Sequence, residues 1–381
     1  MSLESRRRGS ARRQAVLVAA VALGLVMLGL GLIGLGLQQD AASGALPLRP
    51  PAAAAVPATP YVPASPTRPR PLLELRVFTP RSVMPRFVAK ARRLRALRRA
   101  ARRQPHTSSR ATISLYEHTI RRPVLRRQGC TAARRGVGGI VILDFGQPAW
   151  NGHSYGTNLF SGRFADNKSI TRAMLAYAVG YRRCLHLESK LAITLARGTS
   201  NYRPQVPSAY KAGRKWARET MALAKMLRRR GLDEHVISAA ADDVEPAWDR
   251  SFHRTRDFFR GYRDARTGHL LYNYGSLDGG VGAIWSARQA FFVTSGMKYA
   301  RAIPEIYNHA MAKQWAELAH IARHRYHRPV RFAGVMTTHT ARNRGMKPRD
   351  AHRILVRALA KRSGHAAPAV PSAMTNIVSA D

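Results

Sequence analysis

The sequence predicts an α/β fold, specifically a (β/α)8 barrel of the TIM type, preceded by an N-terminal transmembrane helix and a Pro/Ala-rich linker. Three observations predict it. From about residue 111 short apolar runs alternate with helix-like segments, the order typical of a parallel sheet. No glycine-rich phosphate loop follows any of these runs, which disfavours the open nucleotide-binding sheets and favours a barrel. Finally, residues 15–37 are an unbroken apolar run.

The N-terminal run predicts a single membrane anchor. Its 23 apolar residues would rise about 34 Å as a helix, enough to cross a hydrocarbon core of about 30 Å. Arginines crowd residues 1–13 and the opposite flank begins with Gln38, Gln39 and Asp40, so the positive-inside rule predicts a cytoplasmic tail at 1–13, a helix at 14–37 and an extracytoplasmic remainder. The alternative is a cleaved signal peptide and a secreted protein, because small residues follow the run.

Two segments separate this helix from the barrel. Residues 38–72 are rich in proline and alanine and predict an extended linker. Residues 73–110 form a basic arm, in which 86–103 show helical apolar spacing with arginines on the other face. The arm is either a helix that lies on anionic headgroups or wall polymer, or a solvated segment.

The charge indicates a polyanionic neighbour. Lys and Arg number 64 against 21 Asp and Glu, a formal net charge of +43, which fits nucleic acid, lipid headgroups or a wall polymer. The predicted topology places the basic arm outside the cell, so no nucleic-acid partner is expected. The expected partners are the membrane and an envelope glycan or other anionic envelope polymer.

The barrel is predicted over residues 111–365, with a flexible tail at 366–381. Seven strands are expected, at 113–115, 140–145, 191–196, 236–240, 270–274, 291–294 and 330–335. The helices between them are expected at 169–187, 210–230, 249–263, 308–324 and 348–362. An eighth strand is not visible, and residues 298–307 either supply it or form a long loop.

Carboxylates at strand ends are the candidate catalytic residues, because a barrel of this type carries its chemistry where strands run into loops. Alternation places Asp144 at the top of an apolar column that includes Ile142, although an Asp here could instead cap the turn before Gly146. The same period puts Asp243 and Glu245 on one face, although this cluster could instead cap a helix. Glu305 is a further candidate.

Polar and aromatic residues recur at the same predicted strand and loop ends. Aromatic rings stack on the apolar face of a sugar, and amides bind its hydroxyls. The candidate substrate-binding residues are Trp150, Tyr155, Asn201, Tyr202, Trp248, Asn273, Tyr274, Trp285 and Tyr307. No GxSxG elbow and no histidine spacing typical of a metal site is present, so neither a metal nor a cofactor is expected.

Several strings carry a resemblance. They are VILDFG (141–146), GTSN (198–201), DDVEPAW (242–248), YNYGS (272–276) and PEIY (304–307). They resemble uncharacterised secreted or membrane-anchored bacterial proteins with a glycoside-hydrolase-like barrel. The resemblance covers roughly residues 111–340 and implies a carbohydrate-type cleft with Asp144 and Glu245 at matching strand ends.

The sequence therefore favours a membrane-anchored glycoside-hydrolase-like protein that acts on a cell-envelope glycan, with Glu245 as general acid and Asp144 as nucleophile or base. Asp243 and Glu305 are the reserves. The alternative hypothesis is a non-catalytic protein that binds a wall polysaccharide.

The two cysteines are expected at one end of the barrel. Cys130 precedes the strand predicted near residue 140, and Cys184 lies near the end of the helix that follows it. An oxidising compartment would let them form a disulfide. Two buried free thiols are the alternative.

Overall fold

The computed structural model describes residues 111–340 and 345–380, which form an eight-stranded parallel β-barrel with helices on its outside. The tail, transmembrane helix, linker and arm predicted at 1–13, 14–37, 38–72 and 73–110 lie outside the described residues. Among the helices that the structure describes, none is both long and apolar enough to cross a membrane. The α/β class and the barrel-like parallel sheet agree with the prediction.

Eleven strands are found in the described ranges, and eight of them build the barrel. In chain order they are β1 (Thr112–Tyr116), β2 (Gly139–Asp144), β3 (Gln147–Trp150), β4 (Tyr155–Asn158), β5 (Phe164–Asp166), β6 (Ile193–Gly198), β7 (Val236–Asp242), β8 (Leu271–Asn273), β9 (Ala300–Ala302), β10 (Val335–Thr337) and β11 (Met374–Ser379). The barrel order is β10-β11-β1-β2-β6-β7-β8-β9, so its strands follow one another in chain order around the ring.

The ring closes between β9 and β10 through single bridges and not through a ladder. Ala302 pairs with Phe332, and Glu305 pairs with Met336. The amide of Ala302 also donates to the carbonyl of Arg331 at 2.9 Å. The barrel is therefore nearly closed, and its weakest seam lies beside Glu305.

A small antiparallel sheet, β3-β4-β5, is inserted after β2. It joins the loop after β6, because the Trp150 amide donates to the Gln205 carbonyl at 2.8 Å and the Gln205 amide donates to Pro148 at 2.9 Å. Both segments leave the C-terminal ends of barrel strands. The insertion therefore builds up one side of that mouth.

Seven α-helices lie in the described part of the chain. They are α1 (Arg122–Arg134), α2 (Asn167–Cys184), α3 (Ala209–Arg229), α4 (His253–Asp264), α5 (Ala287–Phe291), α6 (His309–Tyr326) and α7 (Pro348–Ser363). Local sequence sets several starts: Asp166 accepts from the Ser169 amide at 2.9 Å, and Asn308 accepts from the Met311 amide at 3.0 Å. Such caps satisfy amides that the first helical turn leaves free.

The apolar residues divide between the inside and the outside of the barrel. Ile140 and Ile142 of β2 point inward and pack with Ala196, Tyr272 and Met336. The alternation predicted for β2 is therefore correct, and it places Asp144 at the top of the inward column. Three other clusters pack helices against the outer face, one of them around the α1 and α2 pair.

Two strand predictions near the C-terminal half are wrong or misplaced. Residues 291–294 are helical, at the end of α5 and in a π-helical turn (Phe292–Gly296), because Ser286 and Gln289 form a capping box that starts a helix there. β10 begins at Val335, the last residue of the strand predicted at 330–335.

The ends of the barrel differ from the prediction as well. β9 lies in the segment 298–307, where an eighth strand was one of two alternatives. The predicted flexible tail contains β11, which pairs with both β1 and β10 and completes the ring. The helix α1 was not predicted, since only Leu125, Gly129 and Ala133 are buried on an otherwise arginine-rich surface.

A disulfide between Cys130 and Cys184 joins α1 to α2, with Cα atoms 5.0 Å apart. The two helices cross at glycines. A Cβ on Gly129 or on Gly180 would overlap a carbonyl oxygen of the facing helix. The close approach and the disulfide together fix this helix pair.

Candidate active site

The predicted catalytic carboxylates lie at the C-terminal mouth of the barrel. Asp144 ends β2, Asp243 and Glu245 follow β7, and Glu305 follows β9. Since all barrel strands are parallel, their carboxyl ends meet at one face.

Three of these residues form a tight cluster. One carboxylate oxygen each of Asp243, Glu245 and Glu305 lies within 4.8 Å of the others. Asp243 and Glu305 are buried, whereas Glu245 is half-buried and accessible from the mouth. Carboxylates this close cannot all be ionised without a compensating cation, so the cluster must hold protons or bind a metal.

Asp144 lies deeper and outside this cluster. Its side chain is 1% exposed, and one oxygen accepts a hydrogen bond from the Gly146 amide at 2.8 Å. Its other oxygen is buried with no hydrogen-bond partner among the described residues. Burial raises the pKa of Asp144 to about 6, and the Gly146 hydrogen bond opposes that shift. One oxygen of this carboxylate therefore caps the turn before Gly146.

The backbone of Glu245 is held by Asn201. The Asn201 amide group donates to the Glu245 carbonyl at 3.0 Å, and its carbonyl oxygen accepts from the Glu245 amide at 3.0 Å. The same Asn201 amide lies 3.0 Å from the Thr255 hydroxyl. Asn201 was predicted to bind substrate, but in the structure its side chain positions the loop that carries Glu245.

The side chain of Glu245 contacts the Ser276 hydroxyl, and a proton count follows from that contact. Ser276 Oγ lies 2.7 Å from Glu245 Oε2 and 2.8 Å from Asp278 Oδ1, and it accepts from the Asp278 amide at 3.1 Å. A hydroxyl carries one proton and can donate to only one carboxylate. The other contact therefore needs a proton carried by Glu245 or Asp278.

The surroundings of the two carboxyls assign that proton to Glu245. Asp278 is half-buried, and its second oxygen accepts from the Ala247 amide at 2.6 Å, a bond that favours the ionised form. The remaining oxygen of Glu245 accepts from the Ser276 amide at 3.2 Å, a longer bond that stabilises an anion less than the 2.6 Å bond does at Asp278. Glu245 then donates to Ser276, and Ser276 donates to Asp278.

The pKa shifts agree with this assignment. Burial and the neighbouring carboxyls of Asp278 and Glu305 raise the pKa of Glu245 to about 9, although the Ser276 hydrogen bond opposes this. The pKa of Asp278 is lowered: burial works against the shift, and hydrogen bonds with Glu245, Ala247 and Ser276 outweigh it. The hydrogen bonds and the directions of both pKa shifts therefore favour a proton on Glu245 over one on Asp278.

Within the cluster, Glu305 has the hydrogen bond that most directly stabilises an ionised carboxylate. Burial raises its pKa to about 7, and a hydrogen bond from the Tyr307 hydroxyl at 2.6 Å opposes the rise. Burial, and then Glu305 and Glu245 among its neighbours, raise the pKa of Asp243 well above its usual value. One Asp243 oxygen is buried without a hydrogen-bond partner in the described chain.

The same three carboxylates are the group best placed to hold a divalent cation, since hard cations take carboxylate oxygens. A cation would have to displace the proton of Glu245. The hydrogen bonds around Ser276 favour that proton, so a cation and a protonated Glu245 are alternative states of this cluster.

Several of the predicted substrate-binding residues are used inside the structure. Asn273 accepts from a backbone amide at 3.1 Å, and Tyr274, fully buried, donates to a backbone carbonyl at 3.2 Å. Trp285 is 3% exposed and donates its indole N–H to a backbone carbonyl at 2.8 Å. These three side chains shape loops at the mouth and present little surface to a ligand.

Other predicted residues do face the mouth. Tyr202 and Trp248 are each 37% exposed and meet edge to face with ring centroids 5.3 Å apart. Trp150 and Tyr155 pair at 4.8 Å on the inserted sheet. Tyr307 is half-buried beside Glu305. The mouth therefore carries aromatic surface next to a pair of carboxyls.

Sequence reasoning did not identify the role of Ser276 and gave Asp278 no special place. The available signal was the spacing of a Ser and an Asp two residues apart after a strand, where the Asp278 amide donates to the Ser276 hydroxyl. That pattern is common in turns. The Ser276–Asp278 pair becomes part of the site only because the Glu245 side chain, from the neighbouring strand end, contacts Ser276.

No known protein-family model matches this chain, and no curated protein shows significant similarity to it.

Proposed function

We propose that this protein is a glycoside hydrolase that acts on a cell-envelope glycan. The observation that carries the proposal is the hydrogen-bonded chain Glu245–Ser276–Asp278, which favours the neutral form of Glu245, with Glu305 in the same 4.8 Å cluster. Cleavage of a glycosidic bond uses such a pair, with the carboxylic acid as general acid and the carboxylate as nucleophile or base.

In the proposed reaction Glu245 gives its proton to the glycosidic oxygen while the bond from that oxygen to the anomeric carbon breaks. The Glu305 carboxylate forms a bond to the anomeric carbon, and Tyr307 holds it in place. Water then attacks that carbon and gives its proton to Glu245, and the bond to Glu305 breaks. Oxygens of the two carboxyls lie within 4.8 Å of each other, below the separation of about 6.5 to 9.5 Å in inverting enzymes, and this short distance favours the retaining mechanism.

Glu305 takes the role that the sequence assigned first to Asp144. Asp144 is more completely buried and accepts a hydrogen bond from the Gly146 amide, so in this proposal it stabilises the turn below the reacting carboxyls and does not react. Asp243 lies beside both reacting carboxyls, and its raised pKa suits a neutral neighbour that does not repel the Glu305 anion.

The proposed location is outside the cytoplasm, on an uncleaved N-terminal anchor. The apolar run and its arginine flank support it. The disulfide adds independent support, because disulfides persist in oxidising compartments and are rare in the cytosol. A secreted protein released by cleavage after the run is the alternative, and the N-terminus of the mature chain distinguishes the two.

The test is hydrolysis by the full-length chain, kept in detergent and incubated with insoluble peptidoglycan and with soluble envelope polysaccharides. Released reducing ends report turnover. Glu245→Gln keeps the shape but removes the acid, so turnover should fall at least about 100-fold. Glu234→Gln changes an exposed carboxyl of the loop before β7 and should leave turnover unchanged. Equal turnover in the two variants would remove Glu245 from the mechanism.

The non-catalytic polysaccharide-binding protein remains the second candidate, and the exposed Tyr202 and Trp248 pair supports it. Binding of an envelope glycan without any released reducing ends, in the wild type as in Glu245→Gln, would favour this candidate over hydrolysis.

A further inference from the structure

A shallow depression of about 540 Å³ adjoins the aromatic pair at the barrel mouth. Two loops line it, the one after β6 and the one after β7. Its cations are Arg203, Arg250 and Arg254, and Trp248 forms part of its wall. These are the same two loops that carry Asn201 and Glu245.

No carboxylate of the described chain pairs with these three guanidinium groups. Within the described residues none of Arg203, Arg250 and Arg254 forms an ion pair, and all three are exposed. Arg254 makes only a long hydrogen bond to a backbone carbonyl, at 3.4 Å. Arg203 lies over the Tyr202 ring at 5.5 Å.

The acidic residue that lines the depression, Asp249, uses its carboxylate oxygens in hydrogen bonds to Ser251 and Thr255. Asp249 is buried and accepts from the Ser251 hydroxyl at 2.8 Å and from the Thr255 amide and hydroxyl at 2.8 and 2.9 Å. Its bonds to Thr255 hold the first turn of α4, and it forms no ion pair with any of the three arginines. The backbone at Arg203 is also held at φ 37°, a conformation that non-glycine residues rarely adopt.

The chemistry of this surface selects an anion attached to a flat apolar ring. A guanidinium pairs with a carboxylate or phosphate through two parallel hydrogen bonds. An exposed indole stacks on the apolar face of a pyranose. Resting on the function proposed above, we propose that the depression is a subsite for a sugar unit that carries an oxyanion, so that the glycan cleaved by this protein is anionic.

The experiment measures binding to the full-length Glu245→Gln protein, which retains the subsite and does not turn the ligand over. The probes are oligogalacturonate, the same oligomer as its methyl ester, and a phosphorylated mannan oligosaccharide. We expect one or both charged probes to bind at least tenfold more tightly than the ester. The charged probe that binds more tightly identifies the oxyanion as carboxylate or phosphate.

Two variants with equal loss of charge separate this site from general attraction to a basic protein. Arg250→Gln with Arg254→Gln should weaken binding of the charged probe at least tenfold. Arg323→Gln with Arg325→Gln removes two exposed arginines from α6 and should leave it within about twofold. Equal weakening by both pairs, equal binding of acid and ester, or no binding of either charged probe would overturn the subsite.

The outcome for the subsite is independent of the outcome for catalysis. Arginine-dependent binding combined with no turnover of any glycan by the wild type would contradict the hydrolase and keep the subsite. Turnover that depends on Glu245 but not on Arg250 and Arg254 would keep the hydrolase and contradict the subsite.

Discussion

Removal of the Cys130–Cys184 disulfide should cost this barrel about 4 kcal/mol of unfolding free energy. The bridge closes a loop with a sequence separation of 54 residues. In the chain-entropy model, a loop of that length restricts the unfolded chain by about 14 cal/mol/K, which is about 4 kcal/mol at 25 °C. The folded state loses little, because Gly129 and Gly180 still allow the two helices to pack closely.

The measurement is guanidinium unfolding of the Cys130→Ala, Cys184→Ala double variant, followed by far-UV circular dichroism. The midpoint should fall, while the denaturant dependence of the free energy changes little. Reduced wild-type protein is the matched control, because it breaks the bridge without changing the side chains. Thiol titration of the unfolded, unreduced wild type should detect no free thiols.

Two results would refute this reasoning. A difference below about 1 kcal/mol between oxidised and reduced wild type would show that the unfolded chain is already restricted by residual structure. A large loss in the double variant with no loss on reduction would assign the effect to packing of the alanines, and loop entropy would then be irrelevant.

Three further predictions concern packing and protonation. Gly180→Ala places a methyl group against a backbone carbonyl of the facing helix and should cost about 1 to 3 kcal/mol; an unchanged midpoint in guanidinium unfolding would contradict it. Burial raises the pKa values of Asp144 and Glu305 to about 6 and about 7, so above pH 4 the folded state binds more protons than the unfolded one. Thermal stability should therefore fall from pH 5 to pH 8. A rise in the melting temperature over that range would contradict the direction of these pKa shifts. The pH dependence of kcat/KM should be bell-shaped, with limbs near 7 from Glu305 and near 9 from Glu245. Asp278→Asn should move the alkaline limb to lower pH, because it removes the charge that favours the protonated form of Glu245. An alkaline limb that does not move would show that Asp278 does not control the pKa of Glu245.

Much of the barrel could be predicted from the sequence because its central strands are buried on both faces. The run at 140–145 is apolar at every position but the fifth, and its inward alternation places Asp144 correctly. Parallel strands then bring Asp243, Glu245 and Glu305 to one face whatever the detailed packing. Strand burial and chain direction therefore determine which carboxylates share the mouth.

The edges of the barrel could not be predicted in this way. β9 and β10 are three residues each, too short for a periodic signal. β11 lies in a segment with no following helix, and it is a strand because β1 and β10 on either side offer it hydrogen bonds. The strand predicted at 291–294 is helical because the capping box before it outweighs its β-rich composition.

Local periodicity and chain direction were enough to predict three features from the sequence: the alternation of strands and helices, the side of β2 on which Asp144 lies, and the carboxylates that meet at the barrel mouth. The hydrogen bonds that favour a proton on Glu245 could not be predicted in this way. They come from Ser276 and Asp278 at the neighbouring strand end, and Ser276 lies 31 positions after Glu245 in the sequence. A hydrogen bond between two loops forms only when its atoms are placed to within about an ångström, and the spacing of residues along the chain does not give their positions that closely.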